Sequence, residues 1–356
     1  MAGKKQRETI IGIAGGGRIG KAIYHLLTDG GICNNVVVMD IAPRPDDIAK
    51  SDYVQTDGTF EEFVKGKTLI INALPFTKNK ELWLECFKNK VAYFDLSEDD
   101  DLDLSLGIYL DSDNMDIPFT MPHCGLAPGM STIIANSLLQ EQDGATDVKI
   151  RVGALSNNST NKLKYHTSWS GEGLVNEYRG DCRVLREGEL KMEPALSGYE
   201  RITLDGIEYE AFNTSGGIGT LAWTLSRSNN NLNADYKTLR RVGHHDYADF
   251  LFNDLALTEG ELINIFKNNV PSTQNDCVLI YVQAGDREYY KKFTPTVIGG
   301  RRYTAIELTT AIGLVSVVEL YLNGKTIPYK NGYCNQERIK FEDILKTTYG
   351  KVYRSE

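Results

Sequence analysis

The chain has 356 residues, of which 41% are hydrophobic and 24% are charged, so it has the composition of a folded globular protein and not of a disordered one. Its net charge of −9 and its pI near 5.3 argue against nucleic acid or an anionic membrane surface as a partner, because both are bound through clustered lysine and arginine. At this length we expect two domains. Without the apolar region of a signal peptide or a run of 18 apolar residues, we expect a cytoplasmic protein with no membrane contact.

The cysteine and histidine patterns do not predict a metal site. Six cysteines are scattered along the chain without a Cys-x-x-Cys pair, which is typical of reduced thiols. A His-His-Asp run begins at His244, but adjacent histidines on a helix point in different directions, and no third ligand follows at a suitable spacing. We therefore predict no metal.

The first predicted elements form a nucleotide-binding βαβ unit. An apolar strand at 9–14 runs into Gly15-Gly16-Gly17-Arg18-Ile19-Gly20, an amphipathic helix follows, and a second apolar strand ends on Asp40. In this pattern Gly15 makes the sharp turn, Gly17 lets the backbone approach a pyrophosphate, and Gly20 lets the helix pack on the sheet. The residues predicted to bind the cofactor here are Gly15, Gly17, Arg18, Ile19, Gly20 and Asp40.

The acidic residue predicts which cofactor is bound. Asp40 is placed to accept hydrogen bonds from the ribose hydroxyls of NAD and to repel the 2′-phosphate of NADP, so NAD is favoured. Arg44 weakens this preference, since it follows the strand closely enough to cradle a 2′-phosphate, although it also suits a solvated loop. NADP therefore remains an alternative.

Alternating strands and helices continue with strands at 53–56, 68–72 and 91–95 and helices at 59–64 and 79–88. This order predicts a doubly wound parallel sheet, and ligands bind outside the carboxyl ends of such strands. Each residue at these ends is also favoured in an ordinary turn, so a structural role stays open. The acidic stretch 98–103 is interpreted as a solvated helix start. The further residues predicted to line the cofactor are Asp57, Asn72, Ala73, Leu74, Pro75, Asp95 and Leu96.

The pattern changes in the second half of the chain. A sixth strand at 117–122 and a helix at 133–139 are followed by strand-like segments at 148–155, 201–204, 277–284 and 289–297. These segments predict an antiparallel sheet for substrate binding and dimerisation, and the apolar helix at 305–322 is expected to return and cover the nucleotide-binding sheet. We predict a dinucleotide-binding domain at 7–141, a substrate and dimerisation domain at 142–304, and a C-terminal return at 305–356.

Several segments together resemble the saccharopine dehydrogenase-like family, most closely its lysine 6-dehydrogenase branch. The resemblance implies an α/β fold, a Rossmann doubly wound parallel sheet with an inserted mixed α/β substrate and dimerisation domain, and a homodimer. It also implies NAD(P)-linked oxidation of a carbon that bears an amine, or the reverse reductive amination, on lysine or a lysine conjugate such as saccharopine. The segments that carry it include residues 12–20, 71–75, 94–96, 125–130, 170–178, 210–217 and 236–244.

Catalytic candidates follow the sixth strand. His123 is a histidine near the expected nicotinamide, so it is a candidate base, although the family often has an acidic residue there and a helix-capping role is the alternative. Cys124 is small enough to line the pocket, and the turn that begins at Gly125 presents N–H groups to an anionic group.

Substrate-binding candidates lie in the second half of the chain. Ser215, Gly216, Arg240 and His244 are candidates for a substrate carboxylate, with the alternative that Lys237, Arg240 and Arg241 form a solvated helix face. Trp169 is a candidate apolar wall, with packing between domains as the alternative. The candidates for the substrate amine are Glu172, Asn176 and Tyr178.

The leading hypothesis is thus an NAD-dependent amino-acid oxidoreductase. Two alternatives stay open: a carboxynorspermidine synthase-type reductive condensation of an aldehyde with a diamine, which uses a polyamine substrate, and a dinucleotide-binding sensor without turnover. The departure at His123 keeps the sensor hypothesis open.

Overall fold

The computed structural model of the protein describes residues 8–96, 117–142, 144–228, 231–324 and 332–355. The acidic stretch 98–103, interpreted from the sequence as a helix start, lies outside the described residues.

The first half of the chain forms a parallel sheet of six strands in the order β3-β2-β1-β4-β5-β6. Every neighbouring pair is parallel, so crossovers are required, and the short helices supply most of them. This confirms the predicted doubly wound sheet. Its strands are β1 (Ile11–Ala14), β2 (Val36–Asp40), β3 (Tyr53–Gln55), β4 (Leu69–Asn72), β5 (Ala92–Asp95) and β6 (Thr120–Met121).

In the described part of this half, three helices connect the strands. Helix α1 (Arg18–Asp29) buries the stripe formed by Ala22, Ile23, Leu26 and Leu27, whose spacing puts them on one face of a helix. The other two are α2 (Glu61–Val64) and α3 (Asn79–Asn89).

Strand β6 is shorter than the predicted strand at 117–122. It pairs with β5 only through Thr120 and Met121, and Pro118 and Pro122 stand on either side of it. Proline has no backbone N–H to donate to a ladder, so the two prolines limit the strand to the residues between them.

The second sheet is larger and mixed. Its main path is β10-β11-β12-β7-β13-β14, with β8 and β9 attached beside β12. The central pair β7 and β12 is parallel and the other pairs are antiparallel, so the prediction of an antiparallel sheet is wrong for this pair. The strands are β7 (Asp147–Ser156), β8 (Asp181–Arg186), β9 (Glu189–Pro194), β10 (Glu200–Leu204), β11 (Ile207–Asn213), β12 (Asn233–Arg241), β13 (Asp276–Ala284) and β14 (Arg287–Phe293).

Strand β12 corrects the interpretation of 237–241 as a solvated helix face. It lies between β11 and β7, so both of its edges are paired, and residues on both of its faces are buried, with Lys237 and Arg240 7% and 2% exposed. A strand inside a sheet buries even charged residues when partners are available, and Lys237 has an ion pair with Glu200 at 2.8 Å. The predicted strand at 289–297 is also divided, because β14 ends before Pro295 and a separate hairpin follows, β15 (Thr296–Ile298) and β16 (Arg301–Tyr303).

Short helices surround the second sheet. Helix α4 (Met130–Gln140) packs against β7 and β13, and α5 (Gly171–Glu177) packs against α8. The remaining short helices are α6 (Leu221–Ser226), α7 (His244–Asp249) and α8 (Glu259–Asn264), and π-helical turns follow at Phe250–Asp254 and Ile265–Asn269.

The long apolar helix α9 (Ala305–Asn323) joins the two halves, and the short helix α10 (Phe341–Ile344) follows it. Helix α9 packs against α1 and β13, as the predicted return requires. Among the described helices it alone is long and apolar enough to cross a membrane by composition, but 67% of the relevant window is buried inside the protein, as in a core helix.

The first turn of α9 is fixed by the second sheet. Asp276, at the start of β13, is fully buried and accepts hydrogen bonds from Ala305 N at 2.8 Å and Ile306 N at 3.0 Å. Thr304 and Glu307 add a capping box. The orphan N–H groups of the helix are thereby satisfied, and the carboxylate lies at the positive end of the helix dipole.

We predict that Asp276→Ala lowers the free energy of unfolding by roughly 2–3 kcal/mol, since it leaves buried N–H groups without an acceptor. Urea unfolding followed by circular dichroism measures this. Asp276→Asn is the matched control, because its amide oxygen still accepts one hydrogen bond, and it should lose less than half as much. Equal losses in the two variants would contradict the capping role.

Candidate functional site

The glycine-rich loop has the geometry of a dinucleotide-binding turn. Gly15 has a φ of 103°, and a Cβ there would lie 2.7 Å from the carbonyl oxygen of Ala73. A Cβ on Gly20 would lie 1.9 Å from the carbonyl oxygen of Gly15, whereas a Cβ on Gly17 would have nothing within 4 Å. Gly15 and Gly20 are thus required by packing, and Gly17 faces open space beside the helix start.

The N-terminus of α1 has no internal cap. Gly17 supplies no side chain, and the first turn holds no acidic residue, whereas Thr258 and Thr304 begin capping boxes on α8 and α9. Free N–H groups at a helix start are an anion site when they face open space. This combination fits the diphosphate of a dinucleotide.

Asp40 lies at the end of β2, next to this loop. Its Oδ2 accepts a hydrogen bond from Gly16 N at 2.6 Å and its Oδ1 accepts one from Ala42 N at 2.9 Å, so the carboxylate is held in place while partly exposed. Arg44 donates to the carbonyl oxygens of Pro45 and Ile48 in its own loop. The guanidinium of Arg44 is therefore occupied locally, which favours its interpretation as a loop residue.

Several residues predicted to line the cofactor have structural roles instead. Asn72 is buried, donates to Asn79 and Tyr93, and accepts from Leu74 N, while Asp95 accepts from His123 N at 2.9 Å. Asp57 is exposed and bonds to Thr59. These carboxylates and amides satisfy turn N–H groups, which is the alternative that the sequence left open. Ala73, Leu74 and Pro75 form the turn under Gly15.

Arg18 connects the loop to the rest of the protein. Its Nε donates to Glu307 at 2.8 Å, and its Nη1 donates to the carbonyl oxygen of Ser168 at 3.0 Å. This side chain thus contacts α9 and the segment before Trp169, and its contact with a cofactor stays a prediction. Ile19, the next residue, lines a cleft.

This cleft lies between the two sheets, at the carboxyl end of the strands of the first sheet, and has a volume of about 180 Å³. Its walls are mostly apolar and include Leu96 and Trp169. Among the described residues its charged side chains are Glu177 and Arg240. The lining residues are Ile19, Leu96, Leu126, Ala127, Val152, Ala154, Trp169, Glu177, Tyr236, Thr238, Arg240, Ile306 and Thr310.

Arg240 is a buried cation in the wall of the cleft. Its Nε donates to the Tyr178 hydroxyl at 2.6 Å, and its Nη1 donates to Thr238 Oγ1 at 2.6 Å and to the Leu239 carbonyl oxygen at 3.0 Å. Burial lowers the pKa of Arg240, but the surrounding oxygens of Tyr178, Tyr165 and Glu177 raise it more, and the net shift is upward. The site therefore holds a permanent positive charge.

Glu177 is the functional candidate that the sequence analysis missed. It ends α5, whereas the predicted Glu172 is exposed on another side of the same helix and pairs with Lys267. Residues five apart in a helix point in different directions, and Glu177 follows the buried Leu174 by three positions. That periodicity is the signal that would have selected Glu177 instead of Glu172.

The other predicted substrate contacts do not line the cleft. Asn176 is exposed, and its carbonyl oxygen accepts the Ser215 hydroxyl at 3.2 Å beside the turn at Gly216. Tyr178 and His244 are buried behind Arg240. They are hydrogen-bonded to each other at 3.0 Å.

The predicted catalytic pair also lies beneath the cleft surface. His123 is fully buried with a φ of 61°, and Cys124 directs its thiol to the carbonyl oxygens of Met121 and Pro122. Burial raises the pKa of the Cys124 thiol well above its usual range. Neither residue is part of the cleft lining, and Gly125 packs against Leu96 beside it. His123 is thus placed behind the cleft wall, and its role as the base stays a prediction.

We predict that Gly17→Ala leaves the melting temperature nearly unchanged but weakens NAD binding at least tenfold, because its methyl group would occupy the space next to the free N–H groups. Gly20→Ala, the matched control, should lower the melting temperature by several degrees, because its methyl group overlaps the Gly15 carbonyl. Calorimetric titration and thermal melts measure the two effects. Unchanged NAD affinity in Gly17→Ala would contradict the placement.

We also predict a pH effect from His244. Burial, with the charge of Arg240, lowers the pKa of His244 from 6.5 to about 3. Between these values the unfolded chain binds one more proton than the folded chain, so stability decreases as pH falls, by up to about 1.4 kcal/mol per pH unit from this group. His244→Gln should remove that part of the slope between pH 6 and 4.5, measured by urea unfolding at several pH values. An unchanged slope would contradict the neutral, buried histidine.

Comparison with known proteins gives the same architecture over nearly the whole chain. Saccharopine dehydrogenase (L-Glu forming) from Saccharomyces cerevisiae superposes with a TM-score of 0.67 at 14% identity, covering 96% of this chain and 98% of that one. Homospermidine synthase from Legionella pneumophila, solved in complex with NAD, superposes with a TM-score of 0.69 at 11% identity, covering 99% and 92%. At these identities the likeness shows the fold.

The family itself follows from a separate match. The model of the saccharopine dehydrogenase C-terminal domain matches residues 125–352, which is more than half of the chain and includes the cleft-lining residues Trp169, Glu177 and Arg240. The chain belongs to the saccharopine dehydrogenase family and has the fold of its oxidoreductases.

Proposed function

We propose that the protein is an NAD-dependent oxidoreductase that acts on a C–N bond of an amino acid of the lysine type. The observation that carries this proposal is the buried guanidinium of Arg240 in a small cleft at the carboxyl end of the first sheet. A fixed buried cation is the partner that a substrate carboxylate requires. Membership in a dehydrogenase family supports a nicotinamide dinucleotide, and Asp40 supports NAD over NADP.

The charges of the cleft favour one substrate class over another. A diamine would bring positive charge next to Arg240, which disfavours the carboxynorspermidine-type alternative. Saccharopine carries three carboxylates, whereas Arg240 is the only lysine or arginine among the described lining residues. We therefore favour an amino acid with one carboxylate, of the kind that a lysine 6-dehydrogenase oxidises.

Glu177 supplies the complementary charge. Its carboxylate lies in the same wall region as Arg240 and contributes to the electrostatic environment of the guanidinium. In this proposal a carboxylate oxygen of Glu177 binds the substrate ammonium and accepts the proton that the amine must lose before its carbon can give up hydride. A nicotinamide dinucleotide bound along the first sheet would accept that hydride.

The apolar walls complete the arrangement. Leu96, Leu126, Trp169 and Ile306 surround the two charged groups and exclude water, which strengthens the contacts of a bound zwitterion. A homodimer formed through the second domain and a cytoplasmic location remain predictions.

The test is nicotinamide absorbance with purified protein, NAD or NADP, and a panel of lysine, ornithine, saccharopine and cadaverine. We expect NAD reduction with lysine and none with cadaverine. Arg240→Gln should raise the KM for lysine about a hundredfold or more, since it leaves a carboxylate without its charged partner. Thr310→Val is the control, because it changes another residue that lines the cleft without removing a charge. It should change the KM for lysine far less than Arg240→Gln does.

Other outcomes identify the alternatives. Oxidation of NADPH only with an aldehyde and a diamine together would support the reductive condensation. Tight NAD binding without turnover on any amine would support the sensor.

A further inference from the structure

Behind the cleft, two residues that do not line it form a hydrogen-bonded chain to Arg240. We infer that Tyr178 and His244 are positioning residues that fix the guanidinium of Arg240 in the orientation that binds a substrate carboxylate. The inference rests on the proposed function, because it explains how the guanidinium that would bind the substrate carboxylate is held in place. It also gives His244, predicted from the sequence as a direct substrate contact, an indirect role, because Tyr178 and Arg240 lie between it and the substrate.

The direction of each hydrogen bond in the chain follows from the chemistry of its first member. Nδ1 of His244 lies 2.7 Å from the carbonyl oxygen of Leu163, which only accepts, so Nδ1 carries the hydrogen. Nε2 of the neutral ring is then an acceptor, and the Tyr178 hydroxyl, 3.0 Å away, donates to it. That leaves an oxygen lone pair of Tyr178 to accept from Arg240 Nε at 2.6 Å.

The backbone around His244 is fixed as well. The buried carboxylate of Glu210 accepts hydrogen bonds from Gly243 N at 2.9 Å and from His245 N, at the start of helix α7. The imidazole therefore sits on a turn that is held from both sides, and the ring is 0% exposed. A rigid acceptor at the far end keeps the Tyr178 hydroxyl in one orientation.

The other edge of the guanidinium is held by its own strand. Nη1 donates to Thr238 Oγ1 and to the Leu239 carbonyl oxygen, so Nε and Nη1 are both occupied. No described residue accepts a hydrogen bond from Nη2. Because the guanidinium is planar, fixing Nε and Nη1 also fixes Nη2, and its N–H groups remain for a ligand in the cleft that Arg240 lines.

Aromatic rings add to the constraint. The guanidinium carbon lies 5.2 Å from the ring centroid of Tyr165 and 5.5 Å from that of Tyr178, within the range of cation–π contacts. These rings replace part of the hydration that burial removes from the cation. Tyr165 makes no hydrogen bond to Arg240, so the orientation of the guanidinium depends on the Tyr178 hydroxyl.

The test compares Tyr178→Phe with wild type, since phenylalanine keeps the ring and removes only the acceptor of Arg240 Nε. We expect the KM for lysine to rise at least tenfold while kcat changes less than threefold. The control is Tyr209→Phe, which removes another buried tyrosine hydroxyl below an arginine, Arg241, away from the cleft, and which should leave both constants within twofold. If kcat falls and KM rises to a similar extent in Tyr178→Phe and Tyr209→Phe, the inference is overturned.

His244 supplies a second comparison. His244→Gln retains an amide oxygen that can accept the Tyr178 hydroxyl, whereas His244→Leu retains no acceptor. We expect the leucine variant to raise the KM for lysine as much as Tyr178→Phe does and the glutamine variant to raise it less. Equal effects of the two substitutions would show that only the volume of the side chain matters and would overturn the positioning role.

A binding measurement separates this inference from the proposed function. Lysine and cadaverine are titrated into the NADH-saturated protein, which has no hydride acceptor and so cannot oxidise them, and binding is followed by calorimetry, with thermal melts to confirm folding. A wild-type response to lysine that is weakened at least tenfold in Tyr178→Phe supports the inference. A response that Tyr178→Phe retains in full overturns the inference alone, and no wild-type response to lysine overturns the proposed function together with it.

Discussion

A single permanently charged group, the guanidinium of Arg240, sets the requirements for the rest of the site. A cation removed from water costs several kcal/mol unless hydrogen bonds and nearby negative charge offset the loss of hydration. The protein provides a tyrosine hydroxyl, a threonine hydroxyl, a carbonyl oxygen and two aromatic rings around it. All of these come from the second half of the chain, from β12, from the end of α5 and from the segment that holds Tyr165.

The first sheet meets a second requirement, because it offers a place for a large anionic cofactor. It does so with backbone groups and a single side chain: glycines at the turn, an uncapped helix start, and the carboxylate of Asp40 at the end of the next strand. The two sheets meet along α9, whose first turn is held by Asp276 from the second sheet while its length packs on α1. Ile306 and Thr310 of this helix line the cleft.

The sequence predicts the first sheet well because its signals are local. Strand, glycine loop, helix and Asp40 follow one another within about thirty residues, and each has a steric or electrostatic reason that does not depend on the rest of the chain. The predicted sheet and its order of elements are confirmed. The shortness of β6 also follows from a local signal, because Pro118 and Pro122 act on their own backbone. The predicted strand at 117–122 included both prolines.

The site in the second half depends on contacts that are distant in sequence, and there local patterns are insufficient. The run of basic residues in β12 resembles a helix face until the neighbouring strands β7 and β11 are known, and His123 resembles a base until its burial is known. Glu172 and Glu177 differ only in the direction in which one short helix presents them. Asn72 and Asp95 stand at the expected edge of the sheet, where each accepts a hydrogen bond from the backbone of a turn, from Leu74 N and His123 N.

Arg18 has a wider significance than its place in the glycine-rich motif. One side chain holds the carbonyl oxygen of Ser168, the residue before Trp169, and the carboxylate of Glu307, the residue after Ile306. Both neighbours line the cleft, and the backbone of Arg18 begins the helix that faces the diphosphate site. Any displacement of Arg18 would therefore be transmitted to two points of the cleft wall at once, one before Trp169 and one after Ile306.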